Sequence, residues 1–367
     1  MSTTRLLALA LLMTGLTVPV AMPREHRVAT VGLLVFAEHE CGNEPLRSGL
    51  RELGYLEGGN YVIDCRHAGG RFEDLQAAAD ALVRARPDLI VALTQLTAAA
   101  AQRATRRIPI VFIATGDPVF SGFAASLAHP GGTMTGLTCY AGELNAKRLE
   151  LLKAVAPGIR RIAVLASPRA MPSVSAVYLR DLTAAAASLD LDIRVFEPSG
   201  DALESAFDAL LAWPADALYI LPSIVFAYEA QQQIADLAHW HRLPTMHWYK
   251  PFVTMGGLMA YGIDYPKLQR RAAGYVDQIL KGSNPADLPI EQPMQYELVI
   301  NRATATELGL TPVGWTRAGV SNCACRGCAW IGSAVASIVR ANPCFVRRDP
   351  GIPGSVQSTF KQKQNPI

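Results

Sequence analysis

Residues 108–137 read IPIVFIATGDPVFSGFAASLAHPGGTMTGL, and the fold class is decided in this stretch. It opens with a short uninterrupted apolar run, residues 110–113. A run of that kind suits a strand covered on both faces, as in a parallel sheet. The run stops at Gly116-Asp117-Pro118, a turn carrying one carboxylate. An Ala-rich piece over 121–128 reads as a short helix, Pro130-Gly131-Gly132 breaks it, and a second strand-like piece follows. Strand, helix and strand in that order make the unit of an α/β fold. In parallel α/β sheets small molecules sit beyond the carboxyl ends of the strands, where Asp117 falls. Asp before Pro is also an ordinary turn former, and spacing alone leaves both roles open.

The alternation continues on both sides. Upstream, residues 28–35 form a β-branched apolar run. Leu46, Leu50 and Leu53 fall at helical spacing between Pro45 and Gly54. Residues 61–64 are strand-like. Leu75, Ala78, Ala79, Leu82 and Val83 mark a helix that ends before Pro87. A strand over 88–93 and a helix over 97–105 lead back to the opening stretch. Downstream the pattern starts again, with a helix over 144–155, a strand over 162–166 and a helix over 173–189. A strand over 193–196, a helix over 201–211, a strand over 218–221 and a helix over 226–240 follow. Short strands near 244–246 and 258–261 and an amphipathic helix over 266–280 complete the set. Two such arrays in succession predict two similar α/β lobes, each a parallel sheet with helices on both faces.

Composition narrows the function classes. With 367 residues, 50% of them hydrophobic and 18% charged, the chain can build sizeable cores. A net charge of +3, without a Lys/Arg block before the C-terminal end, does not suit a polyanion binder. Nucleic acid is therefore not an expected partner. Residues 1–21 have the form of a secretory signal peptide, with Arg5 before the apolar run 6–16. That run is too short to span a bilayer. The mature protein is expected to be exported, periplasmic and not inserted in the membrane. Of the seven cysteines, Cys41, Cys65 and Cys139 lie in the body and Cys323, Cys325, Cys328 and Cys344 in the tail. An exported chain can form disulfides.

Familiar catalytic signatures are missing from the sequence: G-x-G-x-x-G, Walker A, G-x-S-x-G and H-E-x-x-H. His239 and His241 at a helix end would point their rings roughly 200° apart, so they and His247 do not read as a metal site. Cys323, Cys325, Cys328 and Cys344 have the composition of a thiolate site, but their Arg-, Gly- and Pro-rich surroundings lack hydrophobic periodicity. No metal, cofactor or catalytic residue is expected. The strand-end loops are aromatic and hydroxyl-rich with few charges, which suits a small, partly apolar ligand held by one or two polar anchors. They include Phe36, Thr94, Thr97, Asp117, Ser167, Ser223, Trp248-Tyr249 and Tyr261.

Several segments taken together resemble bacterial ABC transporter substrate-binding proteins, the group that includes tryptophan and aromatic amino-acid binders. They are LRSGLRELGYLEGGN (46–60), the GDPV and SLAHPGG pieces of 108–137, KRLELLKAVAP (147–157), 161–166 and HRLP (241–244). GGLMAYG (256–262), RAAGYVDQILKG (271–282) and PADLPIEQPMQYELVIN (285–301) extend the likeness over about 27–310. The resemblance implies a type I periplasmic-binding fold: two doubly wound parallel-sheet lobes, joined by a multi-crossing hinge, that close on a ligand. Lobe 1 would comprise 27–138 plus 263–290, and lobe 2 would comprise 139–262 plus 291–311. Crossings are expected near 138–142, 262–265 and 289–293.

It further implies a soluble, monomeric receptor that passes a small ligand, such as an amino acid, to the permease of an ABC importer. Thr94, Thr97, Asp117, Ser223 and Tyr261 carry over as ligand-binding residues. Asp117 would meet a ligand ammonium and the helix start near Thr97 a carboxylate. Two departures stand out. The loop Glu38-His39-Glu40-Cys41-Gly42 is more charged than usual, and 312–367 has no counterpart and is expected to be a poorly ordered tail. In a 2-1-3-4-5 strand order Cys41 and Cys65 share a sheet edge; a disulfide and two separate thiols both remain open. The competing functional readings are an α/β enzyme with an inter-lobe active site and an inducer-binding regulatory module. The first needs a nucleophile–base pair or a metal, the second a DNA-binding headpiece where the leader stands.

Overall fold

The computed structural model describes residues 28–139, 143–167, 172–198, 203–223, 226, 230–292, 296–310 and 328–330. The leader and most of the tail, with Cys323, Cys325 and Cys344, lie outside these residues.

The first half builds a five-stranded sheet. β1 (Ala29–Val35) is followed by a 3-10 turn over Glu38–Gly42, α1 (Glu44–Glu52), β2 (Tyr61–His67) and α2 (Leu75–Arg84). β3 (Leu89–Ala92), α3 (Gln95–Ala104), β4 (Ile110–Thr115) and β5 (Met134–Thr138) complete it. The order is β2-β1-β3-β4-β5, all parallel. Val31, Leu33, Leu34, Val91, Val111 and Phe112 of its central strands are fully buried. α1 starts where the Asn43 side chain accepts the Leu46 amide at 3.0 Å, and it turns Leu46 and Leu50 onto the sheet.

The expected helix over 121–128 does not form. Ser121 donates its amide to the Asp117 carbonyl at 3.0 Å, and Phe123 donates to the Pro118 carbonyl at 2.8 Å, so the segment folds as successive turns. Gly122 takes φ +69° within it, a left-handed conformation that ends a right-handed helix. Phe123 alone is driven well into the core, against Phe112.

The second half repeats the plan. α4 (Glu143–Val155) leads into β6 (Arg161–Leu165), α5 (Pro172–Ser188), β7 (Asp192–Phe196), α6 (Leu203–Ala212) and β8 (Ala217–Ile220). α7 (Ala230–Trp240), β9 (Thr245–His247), α8 (Pro251–Thr254) and β10 (Met259–Ile263) follow. Then come α9 (Tyr265–Leu280), a 3-10 turn over Pro285–Asp287, β11 (Tyr296–Asn301), α10 (Arg302–Glu307) and β12 (Cys328–Trp330). The seven-stranded order is β12-β11-β10-β9-β8-β6-β7. Its parallel part, β7-β6-β8-β9-β10, has the strand order of the first sheet, and β11 and β12 are added antiparallel at one edge. β12 belongs to the segment expected as a tail: Cys328–Trp330 pairs with Val299, Ile300 and Asn301.

The chain passes between the sheets after Thr138, between Ile263 and Tyr265, and between Glu291 and Tyr296. After the second passage α9 returns to the first sheet and buries Leu268, Ala272, Val276 and Ile279 beside Leu46 and Leu50. The helices meet so closely that a Cβ on Gly49 would lie 2.5 Å from the Arg270 carbonyl oxygen. Before the third passage Glu291 is clasped to β5: it donates to Gly136, accepts from Thr138, each at 3.0 Å, and pairs with Arg271. Two α/β lobes with a hinge crossed more than once are what the sequence leads one to expect. The open question at the β2 edge is also answered. Cys41 and Cys65 are bonded, their Cα atoms 5.8 Å apart.

Candidate functional site

In the first lobe the strand ends are held by local hydrogen bonds. Beyond β1 the Glu40 carboxylate accepts the amides of Phe36 and Ala37 at 2.9 and 2.8 Å. The next residue, Cys41, is tied to β2 by the disulfide. Phe36 is buried and its ring rests on Phe72. Beyond β3, Thr94 and Thr97 form a reciprocal cap: each amide donates to the other's hydroxyl, at 2.9 and 3.2 Å. Thr97 is fully buried, and its hydroxyl donates to the Thr94 carbonyl. Gln95 links this helix start to the next turn, accepting the Gly116 amide at 2.9 Å and donating to Ser121. Asp117 Oδ1 accepts the amides of Val119 and Phe120 at 2.9 and 3.1 Å. This is the turn-forming role, with Oδ2 left over.

In the second lobe Ser167 follows β6 and is partly exposed, while Ser223 follows β8 and is buried. Tyr261 lies inside β10 with its ring against Tyr296, and it is only 3% exposed. Its carbonyl accepts Arg148 Nε at 2.7 Å. Phe36, Thr94, Asp117, Ser167 and Ser223 thus follow strands of the two lobes, whereas Thr97 lies in the first turn of α3 and Tyr261 inside β10. The side chains of Thr97 and Tyr261 are buried.

The densest chemistry gathers where the chain passes between the lobes. Trp248 stacks on Tyr249 with ring centroids 5.3 Å apart, and Tyr265 meets both edge-on at 5.5 and 5.4 Å. Tyr265 starts α9 and also packs with the first-lobe core beside Cys139 and Tyr296. The Trp248 turn lies directly on β10: a Cβ on Gly262 would meet the Trp248 carbonyl oxygen at 1.9 Å, so only glycine fits. Burial, then the charge of Glu40 in the opposite lobe, pushes the Tyr249 phenol up. The two lobes therefore approach one another at this aromatic group.

Beneath it, His247 is stacked between Trp248 and Phe252 and fully buried. Its Nδ1 accepts the Tyr249 amide at 2.9 Å. Burial pushes its pKa down to about 3; backbone hydrogen bonding opposes the shift and the Arg148 charge adds to it. The imidazole is neutral, and neither its Nε2 nor the buried Trp248 indole nitrogen makes a well-formed hydrogen bond. Burial likewise raises the Cys139 thiol to about 11, against hydrogen bonding from Tyr265 and the charge of Arg148. That thiol stays protonated and is a poor nucleophile.

Chemically the group offers ring faces, phenols and one buried guanidinium, which suits recognition of an aromatic molecule. Among the described residues no set of His, Cys, Asp and Glu is placed to hold a metal ion. A separate cavity of about 10 Å³, lined in part by Ala238, Thr245, Leu258 and Leu308, has room for one water.

Sequence reasoning saw Trp248-Tyr249 only as part of a strand-end loop. It passed over Tyr265, whose place just past a lobe crossing was the available signal. Arg148 gave no signal, because a cation inside KRLELLK reads as the wet face of a helix.

A sequence model of the family described as "ABC transporter substrate binding protein" matches residues 30–313. A tyrosine-binding protein of Clostridioides difficile (strain R20291) is 27% identical over 283 residues, 76% of this chain and 81% of that protein. Among solved structures, a conserved domain protein from Vibrio cholerae is 29% identical with a TM-score of 0.72, over 78% of this chain and 97% of that one. The ABC domain from Streptococcus pneumonia in complex with L-Trp is 25% identical, also with a TM-score of 0.72, over 78% of this chain and 96% of that one.

Proposed function

Because the chain belongs to the ABC transporter substrate-binding protein family, we propose that it is an extracytoplasmic receptor for an aromatic amino acid, which it delivers to the permease of an ABC importer. The observation that carries this reading is the Trp248–Tyr249–Tyr265 group at the junction of the lobes. Faces and edges of such rings favour an aromatic ligand by stacking beyond what burial alone contributes. Relatives of similar length that bind tyrosine or hold L-Trp support the same class. The leader-like residues 1–21 support export, and no helix among the described residues is long and apolar enough to cross a membrane.

In this reading the lobes close over the ligand about their shared passages. Phe36, Thr94, Asp117, Ser167 and Ser223 frame the crevice, and Asp117 Oδ2 takes the ammonium. A thermal-shift panel of the twenty amino acids tests the proposal. A ligand present at about 100 times its Kd adds roughly 2.7 kcal/mol to stability. Tyrosine, tryptophan or phenylalanine should therefore raise the Tm by several degrees. A shift with aliphatic or acidic amino acids alone would refute the aromatic class.

A further inference from the structure

Arg148 lies on the second turn of α4 and is 6% exposed. Its Nε donates to the Tyr261 carbonyl at 2.7 Å and its Nη1 to Asn145 Oδ1 at 3.1 Å. The same Asn145 oxygen accepts the Tyr219 hydroxyl at 2.9 Å, and that phenol sits beside the guanidinium. All these partners are neutral. Among the described residues no Asp or Glu pairs with Arg148. Surface arginines of this chain do find carboxylates, as Arg161 does with Asp216 and Arg271 with Glu291. A buried cation without a counter-charge is costly, because desolvation is not repaid by a partner.

Its position says where a counter-charge would come from. Tyr261 is the middle residue of β10, and the Arg148 charge acts on Cys139 in the first passage and on His247 at the end of β9. The guanidinium therefore lies between α4 and β10, within electrostatic reach of the first passage and of His247, on which Trp248 stacks. The site first expected for a carboxylate, the start of α3, has its Thr97 amide already taken by the Thr94 hydroxyl.

We infer that Arg148 is the ligand's carboxylate receptor: the anion missing from its buried surroundings is the carboxylate of the bound molecule, whose ring rests on Trp248, Tyr249 and Tyr265. The inference deepens the aromatic amino-acid reading and rests on it for the ring, but not for the charge. Closure of the lobes brings the carboxylate to the guanidinium, whose plane the neutral partners on Nε and Nη1 hold in place. Ligands lacking a carboxylate leave the cation unpaired and bind poorly.

The test is isothermal titration of the full chain against the amino acids, and against the α-amide and decarboxylated amine of each binder. Wild type should prefer the acid over its amide by about 10–100-fold, the range for a charged hydrogen bond. Arg148→Met should bring acid and amide within a few-fold of each other, and Arg148→Lys should restore part of the preference. If Arg148→Met does not fold, wild type and Arg148→Lys decide. A non-aromatic acid bound with this Arg148-dependent preference would uphold the inference and refute the aromatic reading. An aromatic amine or amide bound as tightly as its acid would do the reverse. Full discrimination retained in Arg148→Met, or no carboxylate bound at all, overturns the inference.

Discussion

At the scale of the residue, Asp117 has one role in the fold and a second in the proposed function. Oδ1 organises the turn through the amides of Val119 and Phe120, which the Gly-Asp-Pro sequence already suggests. In the proposed function Oδ2 is the atom that takes the ligand ammonium. Asp117→Asn keeps an acceptor for the turn and removes the charge. It should leave the Tm nearly unchanged and weaken ligand binding by about 10–100-fold; titration at equal affinity would show that the charge plays no part. A helix start near Thr97 was legible, and Thr94 is the residue that caps it. Arg148 was not legible, because burial of a cation is decided by what packs over it from β10 and β8, and a single chain of letters does not carry that. Tyr265 was missed for a related reason. Its partners Trp248 and Tyr249 lie well before it in the chain and meet it only through the fold.

Elements were easier to read where burial dictates composition. LIVA and IVFIA could be read as strands because both faces are covered by helices. The piece 121–128 misled because Ala content favours helix, while Gly122 and the turns begun at Asp117 override it. Two elements carry their own tests. The Cys41–Cys65 bond closes a loop with a sequence separation of 24, worth about 3 kcal/mol through the unfolded state. Denaturant titration of Cys41→Ser with Cys65→Ser should show a loss of that order, and an unchanged midpoint would contradict it. At the end of β9, His247 is held neutral down to about pH 3, whereas in the unfolded chain it titrates near 6.5. Between those values the unfolded chain binds a proton that the folded chain does not, so this contribution to stability is present above pH 6.5 and declines as pH falls. The slope can reach about 1.4 kcal/mol per pH unit. In His247→Asn, whose amide oxygen can still accept the Tyr249 amide, the fall in stability from pH 6 to pH 4 should be shallower by that order. Parallel curves would mean that His247 is protonated in the fold.

At the scale of the molecule, the repeated strand order in the two lobes and the passages between them describe a clamp. The two lobes were readable from two successive βα arrays, and the passages between them only through the resemblance to substrate-binding proteins. The added antiparallel edge of β11 and β12 was not, because short edge strands carry little periodicity. A clamp couples binding to lobe angle, so small-angle scattering should give a smaller radius of gyration when the protein is saturated with its ligand. An unchanged radius with a proven ligand would remove closure from the account. The central claim is that this receptor holds one aromatic amino acid against the Trp248–Tyr249–Tyr265 group. Isothermal titration of the purified full chain with L-tyrosine and L-tryptophan, at several temperatures, tests it most directly. The account requires saturable binding of one ligand per chain, with a negative heat-capacity change from burial of the ring. Absence of heat with both, confirmed by no displacement of any ligand carried through purification, would contradict it.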